Sequence, residues 1–203
     1  MNYLLYKLSP YNYNIIINFK ISRVNLEIAR YMAKNKKIIT IIGLMGVGKT
    51  TLGSKLAHKL GYYFVDSDRE IEDSEKKSIN DIFKKNGEQY FRDLECCKIK
   101  EIVARDEAMV LSLGGGAFMN DEIRQILLEK TLVIWLKASI DVILHRIGNK
   151  GNRPLLKGMN KREALEELAK KRYPIYGLAD LEIDSSTGNH EVLIDEIYQY
   201  LQR

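Results

Sequence analysis

Gly43-Leu44-Met45-Gly46-Val47-Gly48-Lys49-Thr50 fits the pattern G-x-x-x-x-G-K-[ST] at every fixed position. The glycines let successive backbone N–H groups converge on phosphate oxygens, and the following helix N-terminus adds partial positive charge. Lys49 can reach the β- and γ-phosphates, and the Thr50 hydroxyl can ligate Mg²⁺. This chemistry belongs to a chain that handles a nucleoside triphosphate. Asp66-Ser67-Asp68 places two carboxylates after an apolar stretch, where one can serve a metal and the other a substrate, or the pair can form a solvated turn before a helix near Glu70. Leu113-Gly114-Gly115-Gly116-Ala117 allows close backbone approach, as the floor of a substrate pocket or as a structural loop. Gly148-Asn149-Lys150-Gly151-Asn152-Arg153-Pro154-Leu155-Leu156 reads as a Gly/Asn-rich surface loop or as a lid over 149–159 that carries one arginine toward ATP.

These residues need a scaffold that brings them together. Short apolar runs at Ile38–Ile42, Tyr62–Val65, Met109–Leu113, Thr131–Leu136 and Leu181–Ile183 alternate with helical patterns over Ser78–Phe83, Tyr90–Ala104, Ile140–Ile147, Lys161–Arg172 and about Glu191–Leu201. A further helix over Thr51–Leu60 ends at Gly61. The alternation is that of βαβ units and predicts a doubly wound α/β sheet. On this pattern the phosphate-binding run has its strand before it and its helix after it. Alternation along an extended chain would aim Asp66 and Asp68 to the same side.

With 203 residues the chain suits one domain that buries about 70% of its unfolded surface without staples. Cys96 and Cys97 are adjacent in a helical pattern, unable to bridge each other easily; they are expected to pack in the helix, and a reducing compartment, the cytoplasm, is expected. No apolar stretch approaches the ~20 residues of a membrane span. The net charge of +5 is spread among nearly as many acids, without a basic block, and reads as a demand for small anionic ligands rather than nucleic acid. Residues 1–35, rich in Tyr, Asn and Ile, differ in character from the rest of the chain. They read as an extension outside the working fold of 36–203, with Met32 as an alternative start.

The phosphate-binding run, Asp66-Ser67-Asp68, Gly87-Glu88-Gln89-Tyr90-Phe91-Arg92-Asp93-Leu94-Glu95, the triple glycine, Arg153-Pro154-Leu155-Leu156 and Arg172-Tyr173-Pro174-Ile175-Tyr176, in this order, resemble the shikimate kinases. The resemblance covers the chain from about Lys36. It implies a phosphate-loop, nucleoside-kinase-like three-layer fold with a five-stranded parallel sheet, and transfer of the ATP γ-phosphoryl group to the 3-hydroxyl of shikimate, in the biosynthesis of chorismate and the aromatic amino acids. It further implies that Gly46, Val47, Gly48, Lys49, Thr50 and Thr51 wrap the phosphates, that Thr50 and Asp66 hold one Mg²⁺, and that Arg146 packs on adenine. For Arg146 a solvated cation at a helix end is the other reading.

By the same resemblance Arg92 and Arg172 hold the substrate carboxylate, Glu95 orients Arg92, and Asp68 binds the ring hydroxyls and accepts a proton. Gly114, Gly115 and Gly116 line the ring, while Lys49 and Arg153 stabilise the transferring phosphoryl. The family is commonly monomeric. Ser185-Ser186-Thr187-Gly188-Asn189 departs from it by lacking a second basic residue near the adenine. A gluconate kinase of the same fold would not call for two arginines converging on a ring carboxylate. A GTPase would want N-K-x-D, and Asn149-Lys150-Gly151-Asn152 lacks the Asp. A silent binding module would not need Lys49, Asp68 and both arginines together.

Overall fold

The structure, a computed structural model, describes residues 36–105, 107–148 and 160–202. The extension 1–35 and the segment 149–159, with Arg153, lie outside the described residues. The chain runs β1 (Ile38–Ile42), α1 (Lys49–Leu60), β2 (Tyr63–Asp66), α2 (Ser67–Glu75), α3 (Ile79–Ala104), β3 (Met109–Ser112), a 3₁₀ turn (Ala117–Met119), α4 (Asp121–Lys130), β4 (Thr131–Lys137), α5 (Ile140–Ile147), α6 (Lys161–Tyr176), β5 (Leu181–Asp184) and α7 (His190–Gln202). The strands form one sheet in the order β2-β3-β1-β4-β5, every pair parallel, with helices flanking it. Among the described residues no helix is long and apolar enough to cross a membrane.

β1 lies at the centre with all five residues buried, which is why it reads as a continuous apolar run rather than an alternation. β3 and β4 pair on either side of it. The phosphate-binding loop leaves the carboxyl end of β1, the glycine run that of the adjacent β3, and Asp66 ends β2 one strand further out. Parallel pairing therefore collects three motifs, far apart in sequence, along one edge of the sheet, where such folds bind ligands.

Several boundaries differ from those the pattern predicts, each for a local reason. α1 starts at Lys49 rather than Thr51, so Lys49 and Thr50 stand in its first turn. Asp66 and Asp68 are not two residues of an extended strand; Asp66 accepts from the backbone N–H groups of Asp68 and Arg69 and caps α2, which puts Asp68 in a helical first turn. α6 continues past Arg172 through Pro174 to Tyr176. The proline removes one helical hydrogen bond, but Tyr173 and Tyr176 pack on Trp135 with ring centroids 5.1 and 6.0 Å away, and that burial holds the last turn. α4, capped by the Asn120 side chain, has no counterpart among the predicted helices. Of the two cysteines, Cys96 is buried and Cys97 exposed; both are free thiols.

α3 replaces the two helices expected over Ser78–Phe83 and Tyr90–Ala104, with a break at Gly87 (φ 86°, ψ 173°). The break lets Phe83 and Phe91 stack at 4.6 Å across it. These two rings, with Ile71, Ile82, Ile79 and Leu94, form a small apolar cluster separate from the main core, and this cluster carries the α2–α3 pair. A Cβ on Gly87 would meet nothing within 4 Å, so only its backbone conformation resists substitution. That conformation is one essentially reserved for glycine. Gly87→Ala is expected to lower the unfolding free energy by about 1–3 kcal/mol in a denaturant titration; unchanged stability would show that the backbone does not fix the break.

Candidate active site

At the nucleotide end the loop between β1 and α1 turns through positive φ at Gly43, Gly46 and Gly48. A Cβ at Gly46 would press on Ile147, and one at Gly43 on the carbonyl of Leu136. Lys49 Nζ donates to the carbonyls of Gly43 (3.0 Å) and Leu44 (3.1 Å), so the loop folds around the lysine. Thr50 Oγ1 donates to Asp66 Oδ2 at 3.0 Å, bringing a hydroxyl and a carboxylate together beside the loop. Their hard oxygens are the donor types Mg²⁺ takes alongside water and phosphate oxygens.

Arg146 is not a solvated helix-end cation. Its guanidinium donates to the Val47 carbonyl (3.0 Å), to Ser185 Oγ (3.3 Å) and to the Ser185 carbonyl, while Ser185 Oγ donates to the same Val47 carbonyl (3.1 Å). The arginine thus ties the phosphate-binding loop to the turn before α7. His190, the first residue of α7, completes this corner: a Cβ on Gly48 would lie 3.3 Å from its Nε2. Burial, then Lys55 and Arg146, holds its pKa below the usual histidine value.

The acceptor end is built around Gly114-Gly115-Gly116. Gly114 N–H donates to the buried Ser67 hydroxyl at 3.0 Å, which fixes the glycine run against the start of α2. A Cβ on Gly114 would collide with Asp68 Oδ1 and crowd Glu95 Oε1. One on Gly115 would lie 3.3 Å from Arg172 Nη1, and one on Gly116 3.0 Å from Arg92 Nη1. The absent side chains are the space in which these charges sit.

Arg92 Nη1 donates to Glu95 Oε2 at 2.8 Å, and its Nη2 and Nε donate to Glu88 Oε1 at 3.1 and 3.4 Å. Arg172 Nη1 donates to the Gly115 carbonyl at 2.7 Å, and the hydroxyl of buried Tyr176 donates to that same oxygen. Burial pushes up the carboxyl of Asp68; Asp66 and Glu72 push the same way, while Lys49 and Arg92 oppose them. Burial likewise raises Glu95, against the pull of Arg92. Burial works against the Arg92 charge, yet Glu95 and Glu88 hold its pKa above the ordinary arginine value.

One cleft of about 470 Å³ joins the two ends. It is lined by Gly46, Gly48, Lys49, Thr50, Thr51, Asp66 and Arg146 on the nucleotide side and by Asp68, Arg92, Gly114, Gly115, Gly116 and Arg172 on the other. Val47 contributes its carbonyl to the Arg146 contact while its side chain is buried, and Glu95 lies behind Arg92, almost inaccessible. Sequence reasoning did not single out Ser67, Glu88, Tyr176, Ser185 or His190. Of these only Glu88 carries a local signal, a carboxylate four residues before Arg92 on a helix.

The sequence model of the shikimate kinase family matches residues 45–202. A shikimate kinase of Zymomonas mobilis is 46% identical over 167 residues, covering 82% of this chain and 94% of that protein. The structure of shikimate kinase from Acinetobacter baumannii in complex with shikimate is similar at a TM-score of 0.78 and 36% identity, covering 85% of this chain and 97% of that one. That of Aquifex aeolicus shikimate kinase gives a TM-score of 0.72 at 33% identity, covering 81% and 96%. With the family model spanning residues 45–202, which include Lys49, the glycine run and α6, and a relative 46% identical over most of its length, the chain belongs to the shikimate kinase family.

Proposed function

We propose that this chain transfers the γ-phosphoryl group of ATP to the 3-hydroxyl of shikimate, giving shikimate 3-phosphate and ADP. The observation that carries the reading is the single cleft in which a phosphate-binding loop faces Asp68 and two arginines. An acid with a ring of hydroxyls needs a planar cationic fork at one end and a proton acceptor at the other. Arg92 and Arg172 are the forks, and Asp68 is the acceptor. The complex of the Acinetobacter relative with shikimate supports this choice of acceptor, and nothing favours gluconate.

In this mechanism the loop N–H groups of Gly46 to Thr51 bind the phosphates, and Lys49 exchanges the carbonyls of Gly43 and Leu44 for phosphate oxygens. Thr50 and Asp66 would hold Mg²⁺, which supplies charge neutralisation at the transferring phosphoryl. Arg146 holds the loop and borders the adenine side; Arg153, in the lid assigned to 149–159, adds charge at the transferring phosphoryl. Gly114 to Gly116 form the floor under the ring, and Glu95 keeps the Arg92 fork turned toward it. Asp68 takes the proton of the 3-hydroxyl as that oxygen attacks phosphorus.

The working unit is residues 36–203 as a cytoplasmic monomer acting on two small molecules, since one chain supplies both ends of the cleft. Coupled ADP release with ATP, Mg²⁺ and shikimate, run on the full chain and on 36–203, is expected to give shikimate-dependent turnover by both. ATP hydrolysis indifferent to shikimate would overturn the acceptor, and loss of turnover on truncation would bring the extension into the working fold.

The raised pKa of Asp68 makes a second expectation, for pH. An ionised carboxyl whose folded pKa lies above its unfolded one costs stability at every pH above the folded value, and that cost disappears below the ordinary carboxylate pKa. Asp68→Asn is therefore expected to raise the melting temperature at pH 7, with the gain shrinking as pH falls. It is also expected to lower kcat on the order of 10²- to 10⁴-fold, as for loss of a general base. In the wild type, kcat/KM is expected to fall on the acid side with an apparent pKa above that of a free aspartate. A variant that is destabilised at pH 7 and still active would remove Asp68 from this role.

A further inference from the structure

Arg92 already holds a carboxylate in a position to compete with a ligand. Its Nε and Nη2 both donate to a single oxygen of Glu88, while Nη1 is engaged by Glu95. The two acids differ in what binds them in place. The Glu95 side chain is 2% exposed and makes the short 2.8 Å bond; that of Glu88 is 69% exposed, and its contacts are the longer 3.1 and 3.4 Å. Glu95 is a fixture of the site, whereas Glu88 can rotate into solvent at little cost. The break at Gly87 puts Glu88 at the start of the helical segment that bears Arg92 four residues on, so this pairing is local and needs no other element.

We propose that Glu88 is an internal stand-in for the substrate carboxylate: it occupies the Nε/Nη2 edge of Arg92 in the free enzyme and leaves when an acidic acceptor binds. The inference rests on the shikimate reading, in which Arg92 receives the acceptor's carboxylate. A guanidinium edge binds best to two oxygens at once, and Glu88 offers it one. An incoming carboxylate replaces a poor contact with a bidentate one, and a neutral acceptor cannot make the exchange. Glu88 thus keeps the Arg92 charge paired until an acid displaces it, and lowers the affinity of the site for acids by the small amount its own exposed contact is worth.

The test is steady-state kinetics of wild type, Glu88→Gln and Glu88→Ala, with shikimate and ATP varied separately and melting temperatures recorded. An exposed ion pair is worth little, so removing the competitor is expected to lower the KM for shikimate by about two- to five-fold. kcat, the KM for ATP and the melting temperature are expected to stay within the scatter of repeated wild-type measurements. If wild type turns over shikimate but both variants show an unchanged or higher KM for it, Glu88 does not compete and the proposal is overturned. Absence of shikimate-dependent turnover in wild type would overturn the acceptor reading itself, and this proposal with it.

Discussion

Three successive residues without a Cβ let four charged side chains from three helices converge on the end of β3. Asp68 comes from α2, Arg92 and Glu95 from α3, and Arg172 from α6, and each lies where a methyl group on Gly114, Gly115 or Gly116 would crowd it. The grouping is electrostatically consistent only as a set. Asp68 and Glu95 are both raised by burial, and Asp68 pushes Glu95 further the same way, while Arg92 offsets both and Arg172 offsets Glu95. Removing either guanidinium would leave the buried Glu95 carboxylate less compensated, and removing Arg92 the partly buried Asp68 as well, and such losses cost more than the pair contributes. The glycine run is therefore a constraint on the whole acceptor end, beyond its role as a floor.

The two ends of the cleft rest on different supports. The nucleotide end is anchored in the main core: Val47 and Leu44 are buried in it, and Arg146 and Ser185 pin the loop from across the sheet. Asp68, Glu88, Arg92 and Glu95 ride on the α2–α3 pair, whose own apolar cluster is small. The Asp66 cap on α2, the Ser67 hydroxyl bond to Gly114, the glycine packing and the α3 contacts with the core join that pair to the sheet edge. A site divided in this way can keep its phosphate-binding half rigid while the acceptor half adjusts to its ligand.

Much of this was legible in the sequence, because the strongest signals are local. The isoleucine run of β1 marks a buried strand, the glycines of the phosphate-binding loop mark left-handed backbone, and the triple glycine marks a place where no side chain fits, and these led directly to the sheet and to the cleft. What the sequence concealed depends on contacts between distant segments. Tyr176 reaches Gly115 only because α6 survives Pro174, and that survival comes from packing on Trp135. His190 meets the loop at Gly48, and Ser185 shares the Val47 carbonyl with Arg146, across separations that no periodicity encodes. The assignment of Asp66 and Asp68 to one side was reached by strand alternation, whereas the structure uses a helix cap.

The central claim is that the acceptor end reads a carboxylate through Arg92 and Arg172. Calorimetric titration of the protein with shikimate and, separately, with its methyl ester tests this most directly, because the ester keeps the ring and hydroxyls and loses only the charge. The account expects the acid to bind and the ester to bind at least about tenfold more weakly, a loss of about 1.4 kcal/mol. Equal affinity for the two would contradict it.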